Sequence, residues 1–148
     1  MAEIYFGCSK QGGFARVSQD ELRGIYLAIT GLGHHVLFDH TSPTFMADDK
    51  HMTPQDIHDR DYSLLIAADA GVFEISNAST GVGGEISDCV HLGKPALCLF
   101  KAGLEKVASA YAVGKQGSRF IKVPFSAQAY NSVEHAREII GKFLNENV

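Results

Sequence analysis

Basic residues are scarce in this chain: 13 Lys and Arg stand against 17 Asp and Glu, for a net charge of −4. That balance excludes an extended surface for long nucleic acid, although one small phosphate needs only a few donors. Cysteine is scarce too. Cys8, Cys89 and Cys98 are odd in number and lack paired metal-ligand spacing, which fits free thiols in a reducing, cytoplasmic setting. No apolar run approaches the length of a membrane span, and Met1-Ala2-Glu3 passes into strand-like sequence without a signal-peptide pattern, so no membrane contact is expected. None of the seven histidines has a carboxylate or cysteine partner at a recognisable metal spacing, so no metal or cofactor is expected. Internal repeats, low-complexity stretches and linkers are absent as well. What is present is 148 residues at 45% apolar composition, enough for one domain over residues 1–148 with a substantial core.

Along the chain, strand-like and helix-like patterns alternate. Ile4 to Gly7 starts a first strand that ends in a small, polar loop, Cys8-Ser9-Lys10-Gln11-Gly12-Gly13. Ser18-Gln19-Asp20-Glu21 is a capping box, and Leu22, Ile25, Tyr26 and Ile29 recur at helical spacing until Gly31 and Gly33. His35 to Phe38 reads as a second strand. A longer segment, Asp39 to Met52, has the length of a lid, and Thr53-Pro54-Gln55-Asp56 then opens a helix that runs to about Ala68. Ala70 to Ile75 is the third strand, Val82 to Leu92 the third helix and Pro95 to Phe100 the fourth strand. A weak helical stretch near Glu105 to Tyr111, a fifth strand at Arg119 to Val123 and a closing helix from Ser126 to Asn145 complete the pattern. Strands separated by helices of this length pair in parallel through right-handed crossovers. The expected architecture is therefore α/β: a three-layer, doubly wound, Rossmann or flavodoxin-like fold around a mainly parallel five-stranded sheet. Ligands of such sheets sit beyond the carboxyl ends of the strands, which brings Ser9, His40 and Ser79 toward one crevice.

Two stretches point to chemistry. Asn77-Ala78-Ser79-Thr80-Gly81-Val82-Gly83-Gly84-Glu85 joins the third strand to the third helix, with a cap, three glycines in four residues and a helix N-terminus suited to an anion. Neither G-x-G-x-x-G nor the Walker Lys-Ser/Thr ending is there, and a tight packing turn is the alternative. Glu85 on its own is accounted for as an acid that complements the helix dipole. In Ile57-His58-Asp59-Arg60-Asp61-Tyr62, helical spacing puts Asp61 on a stripe with Ile57, Leu65 and Ala68 while Asp59 and Arg60 point elsewhere. Asp61 is either a buried, hydrogen-bonded aspartate or a carboxyl whose pKa is raised by desolvation. It lies about 12 Å along the helix from Thr53 at 1.5 Å per residue, so the helix must begin well above the sheet edge for Asp61 to reach the crevice. Tyr5, on the first strand, also reads as ordinary core, and Cys8 as a small packed residue rather than a nucleophile.

Taken together, Ile4-Tyr5-Phe6-Gly7-Cys8-Ser9, Ile57-His58-Asp59-Arg60-Asp61, Ser79-Thr80-Gly81-Val82-Gly83-Gly84-Glu85 and Gly117-Ser118-Arg119-Phe120 resemble the 2'-deoxynucleoside 5'-phosphate N-hydrolase family, relatives of the nucleoside 2-deoxyribosyltransferases. The resemblance covers most of the chain in order. It implies a glycosidase that cleaves the N-glycosidic bond of deoxynucleoside 5'-monophosphates to free base and deoxyribose 5-phosphate. Glu85 matches the family's nucleophile, Asp61 the acid that assists the leaving base, and Tyr5 the tyrosine that orients the nucleophile. Ser9, Ser79 and Ser118 match phosphate-binding positions, with Ser118 supplied by the second subunit of a homodimer. Gln11, Gly12, His40, Ile57, Gly81 and Gly83 complete the expected substrate contacts. Two departures stand out: Gln11 replaces the Arg of mammalian members, and Gly84 replaces their Tyr.

The role split carries an electrostatic expectation. Glu85 beside helix-terminal N–H groups should stay ionised, with a pKa slightly below roughly 4.3, whereas Asp61 should be raised well above about 3.9 to donate a proton near neutral pH. Paired carboxylates of this kind act through an oxocarbenium-like transition state and a covalent glycosyl intermediate, which water then hydrolyses. The alternatives are a deoxyribosyltransferase on the same scaffold, in which a second base captures the intermediate, and a non-catalytic nucleotide-binding module.

Overall fold

The computed structural model describes residues 1–9, 15–44 and 49–148. Gln11 and Gly12, and the middle of the segment expected as a lid, lie outside the described residues. Five strands, β1 (Glu3–Cys8), β2 (His35–Val36), β3 (Ala70–Glu74), β4 (Ala96–Lys101) and β5 (Phe125–Tyr130), form one sheet in the order β2-β1-β3-β4-β5, with every pairing parallel. This is the flavodoxin-like doubly wound order. The described helices are α1 (Gln19–Gly31), α2 (Pro54–Ala67), α3 (Thr80–His91), the short α4 (Ala110–Val113) and α5 (Val133–Asn147).

The helices start where side-chain caps are available. Ser18 and Glu21 form a reciprocal capping box, as do Thr53 and Asp56, with Pro54 just inside α2. Ser79 Oγ accepts from Val82 N at 3.2 Å and so caps α3. Each such cap contributes about 1 kcal/mol by satisfying an amide that the helix itself cannot pair. Gly33 and Gly93, at φ +87° and +78°, turn the chain out of α1 and α3 in the left-handed region where a Cβ is disfavoured.

Apolar residues sort the helices into two layers. Ile25 and Ile29 of α1 and Ala136, Ile140 and Phe143 of α5 pack on one sheet face with Ile4, Phe6, Val72 and Leu97. Leu65 of α2, Val82, Ile86 and Cys89 of α3 and Ala112 of α4 pack on the other with Tyr5, Phe73 and Cys98. No helix among the described residues is long and apolar enough to cross a membrane.

Two boundaries differ from the sequence reading. The fifth strand is Phe125–Tyr130 rather than Arg119 to Val123, and the closing helix begins after Ser132 rather than at Ser126. The apolar Phe120, Ile121 and Val123 mimic a strand, yet Phe120 is exposed. The true strand is an edge strand whose middle, Ser126 to Ala129, is small and polar, which propensity underrates. Ser132 Oγ accepts from His135 N at 3.1 Å and sets the helix start. The second strand is also shorter than expected, and the weak helical stretch resolves as Ala110–Val113, capped by Ser109.

Behind the carboxyl end of β3 lies a buried polar knot. Glu74, 1% exposed, accepts from Tyr130 Oη at 2.6 Å and from Ser76 N. Burial pushes its pKa up while these donors oppose the rise. Tyr130→Phe removes one donor from a buried acid and is expected to cost about 1–3 kcal/mol in urea unfolding. Because a raised carboxyl contributes stability below its unfolded pKa and loses it as pH rises through the folded one, the loss should be larger at pH 8 than at pH 5. Equal losses at both values would show that Glu74 does not sense its partner.

Candidate active site

The strand order reverses between β1 and β3, so the connections leaving these two strands part to opposite sides and open a crevice at their carboxyl ends. Tyr5 and Gly7 of β1 face α2 and α3 across that opening. Gly7 has a specific reason to lack a side chain: a Cβ there would come within 2.6 Å of Phe73 Cδ1 and 2.9 Å of Glu85 Oε2. The strand backbone is thus bare where the α3 carboxylate leans against it.

Asp61 of α2 and Glu85 of α3 line one cleft of about 310 Å³, together with Ile57, Tyr62, Gly81 and Gly84. The carboxyl pair expected from the sequence is therefore brought together, and α2 starts high enough for Asp61 to reach the crevice. Tyr5, 1% exposed, lies beneath them, its Oη buried without a hydrogen bond of ordinary geometry among the described residues. Burial, then the Glu85 and Asp61 charges, drive its pKa far up, so it remains a neutral phenol. His40, buried in the turn after β2, meets the Tyr5 ring edge-on at 5.5 Å and puts Nε2 3.5 Å from Asp61 Oδ1.

The electrostatics reverse the sequence expectation for both acids. Burial, reinforced by the Asp61 and Asp88 charges, raises Glu85 to about 7, with Tyr5 and Arg60 offsetting only part of the rise. Desolvation of the carboxyl against the sheet outweighs what the helix dipole offers an ionised acid. Asp61 goes the other way: burial works to raise it, but hydrogen bonds and charge from His40 and Arg60 prevail and hold it below the usual carboxylate range. Arg60, expected to point elsewhere, folds back on its neighbour, donating from Nε to Asp61 Oδ1 at 2.8 Å and from Nη2 to Oδ2 at 3.3 Å. Its Nη1 reaches Asp49 Oδ1 at 2.6 Å, and the guanidinium lies over the Phe38 ring at 4.7 Å. Helical spacing alone could not reveal this, because a long flexible side chain can reach a carboxylate one position away.

The remaining expected contacts distribute over three places. Ser79 and Gly83 line a second cleft of about 390 Å³ on the far side of the first turn of α3, with Arg16 and Asn77. Ser9 follows β1, its carbonyl accepting from Asn77 Nδ2 at 3.2 Å. Ser118 lies apart, in a depression of about 330 Å³ beside the exposed rings of Tyr111 and Phe120. Residues the sequence reading assigned no role are Arg16, Gly7, Arg60 and Asn77. Only Gly7 carried a signal, a glycine inside an apolar strand.

No protein-family model matches the chain. The protein of Thermofilum pendens named "Putative 2'-deoxynucleoside 5'-phosphate N-hydrolase 1" is 31% identical over 147 residues, which cover 99% of this chain and 97% of the relative. The 5-hydroxymethyl-dUMP N-hydrolase of Mus musculus is 40% identical over 82 residues, 55% of this chain and 47% of the relative. The match thus spans about half the length of the mouse protein or less, as it does for the rat protein at 41%. Among solved structures, the Clostridium botulinum CMP N-glycosidase BcmB has a TM-score of 0.63 at 16% identity, covering 95% of this chain and 98% of that one. BlsM has a TM-score of 0.64 at 18% identity, covering 97% and 92%. Both share the fold. With a carboxyl pair in the crevice of a doubly wound sheet and an end-to-end match to the Thermofilum protein, the chain belongs to the 2'-deoxynucleoside 5'-phosphate N-hydrolase family.

Proposed function

We propose that the protein hydrolyses the N-glycosidic bond of 2'-deoxynucleoside 5'-monophosphates, releasing the base and deoxyribose 5-phosphate. The observation that carries this reading is the juxtaposition of Glu85 and Asp61 in one cleft at the switch point, with Tyr5 beneath them. Ionised Glu85 attacks C1' of the sugar, the C1'–N bond breaks, and its electron pair leaves with the base, which takes a proton from Asp61. Water then adds at C1' of the glycosyl ester, giving its proton to Asp61 and freeing Glu85. Tyr5 holds the nucleophile, and Ser79 with the first amides of α3 receives the phosphate.

Near neutral pH, burial makes Glu85 the member of the pair more ready to hold a proton, while Asp61 is held ionised. Turnover needs the proton on Asp61 instead, and Arg60 opposes that move by favouring the ionised aspartate. Arg60 also has Asp49 as a partner, so its charge stays matched when Asp61 is protonated.

The alternative is a transferase, in which a second base captures the same intermediate. A homodimer is the expected assembly. Ser118 lies beside Tyr111 and Phe120, which are 81% and 75% exposed and suit burial against a second copy that receives Ser118 at its phosphate site.

The deciding experiment is a panel of deoxy and ribo nucleosides and monophosphates, with and without a second free base, scored for released base. Deoxynucleoside monophosphates should be cleaved, and Glu85→Gln should lower kcat roughly a thousandfold or more. A second base converted to new nucleotide in preference to hydrolysis would make the protein a transferase, and binding without any cleavage would make it a sensor. Arg60→Gln should raise the Asp61 pKa, so the acid limb of kcat/KM, which the lower pKa of the pair sets when Glu85 is the higher, should move to higher pH; an unmoved limb would remove Asp61 as the acid or Arg60 as its modulator. Phe120→Asp should yield monomers in sedimentation and lower kcat/KM for monophosphates. Because the raised Glu85 pKa means stability lost as pH climbs toward and through about 7, the thermal midpoint of Glu85→Gln should gain on that of the wild type between pH 5 and pH 8.

A further inference from the structure

The cleft beside Ser79 holds a cation that neither the motifs nor the chemistry above has used. Arg16 lines it together with Asn77, Ser79, Thr80, Gly83 and Ser109, and Arg16 is the one cationic side chain lining that cleft among the described residues. Its position is set from below. Asn77 Oδ1 accepts from Arg16 N at 2.6 Å and from Val17 N at 3.1 Å, while Asn77 Nδ2 donates to Ser9 O and to Val17 O, each at 3.2 Å. Two acceptances and two donations use the full capacity of a carboxamide, and Asn77 is 5% exposed. One buried side chain therefore fastens both ends of the connection between β1 and α1 to the turn that leads into α3. Arg16 adds a third tie through Nη1 to Ser76 O at 3.2 Å, so its stem is anchored while the guanidinium stays at the cleft.

A phosphate monoester needs such a charge here. The chain is net negative, and the neighbouring cleft already carries Asp61, Glu85 and Asp88. An anion brought beside the ionised members of this set is repelled unless a cation stands close, and an arginine fork matches phosphate oxygens better than a point charge does.

We propose that Arg16 is the cationic grip for the 5'-phosphate of the substrate, and that Asn77 is the positioning residue that presents it to the anion held at Ser79. This rests on the nucleotide hydrolase reading for the identity of the ligand, but the two can fail separately. Asn77 acts through Arg16 and Ser9 and touches no reacting atom.

The test is calorimetric titration of wild type, Arg16→Gln, Arg16→Lys and Asn77→Asp with deoxyribose 5-phosphate, beside steady-state kinetics on a deoxynucleoside monophosphate and on the matching nucleoside. Arg16→Gln should weaken deoxyribose 5-phosphate about tenfold or more, as expected for loss of a charge-assisted hydrogen-bond pair, and Arg16→Lys should recover part of that loss. Asn77→Asp keeps the Oδ1 acceptor but replaces the twice-donating Nδ2 with one oxygen facing two carbonyl groups, so it should weaken the same ligand with Arg16 intact. In kinetics the Arg16→Gln effect should fall on KM for the monophosphate, with kcat little changed and no effect on the nucleoside. Arg16 lies on the surface, so this variant should fold, which its thermal midpoint checks. Wild-type affinity retained in Arg16→Gln, or a wild type that does not bind deoxyribose 5-phosphate, overturns the proposal. A wild type that binds it through Arg16 yet cleaves no nucleotide leaves this inference standing and defeats the hydrolase reading.

Discussion

The crevice is organised by a carboxyl group driven against a bare strand. Glu85 leaves the inner side of α3 and rests on β1 at Gly7, where no Cβ keeps it away. Desolvation there raises its pKa to about 7, and its acidic neighbours add to the rise. Such a group is costly to keep ionised, which is the expected signature of a residue retained for chemistry rather than stability. The surrounding layer answers this cost: Tyr5 brings a neutral phenol alongside, and Arg60 brings positive charge through Asp61.

The opposite layer has a second buried acid, treated differently. Glu74 ends β3 on the α1 and α5 side and has its oxygens occupied by Tyr130 and Ser76. Its donors are fixed parts of the fold, whereas Glu85 has no such saturating set among the described residues. The sheet thus separates an acid satisfied by structure from an acid left available to a ligand. Glu74 ends β3 and Glu85 sits on the helix that leaves it, so the place of β3 beside β1 governs where either can lie.

Much of the architecture was legible in the sequence because local signals agreed with the global fold. The capping boxes at Ser18 and Thr53, the glycine turn before α3 and the apolar runs of β1, β3 and β4 each mark an element by a distinct physical cause. The last strand was misplaced because an edge strand such as Phe125–Tyr130 carries little apolar pattern, while the exposed Phe120 imitated one. In the crevice, Tyr5, Asp61 and Glu85 were readable through family resemblance and spacing. Their protonation was not, since it depends on the reach of Arg60 and on burial, quantities that arise only when elements distant in sequence pack together. Asn77 was equally silent, because a carboxamide that bonds residues some sixty positions away leaves no local pattern.

Phe73 lies between two glycines, Gly7 across the ladder and Gly71 on its own strand, and a Cβ on either would press into its ring. A smaller residue at position 73 would free the space at Gly71 apart from its contact with Cys89, but at Gly7 the Glu85 oxygen would still bar a side chain. Position 7 is therefore locked twice, once by packing and once by chemistry. Drift in the core can release only the first lock, so an alanine on β1 at position 7 requires both a smaller residue at position 73 and the loss of the carboxylate.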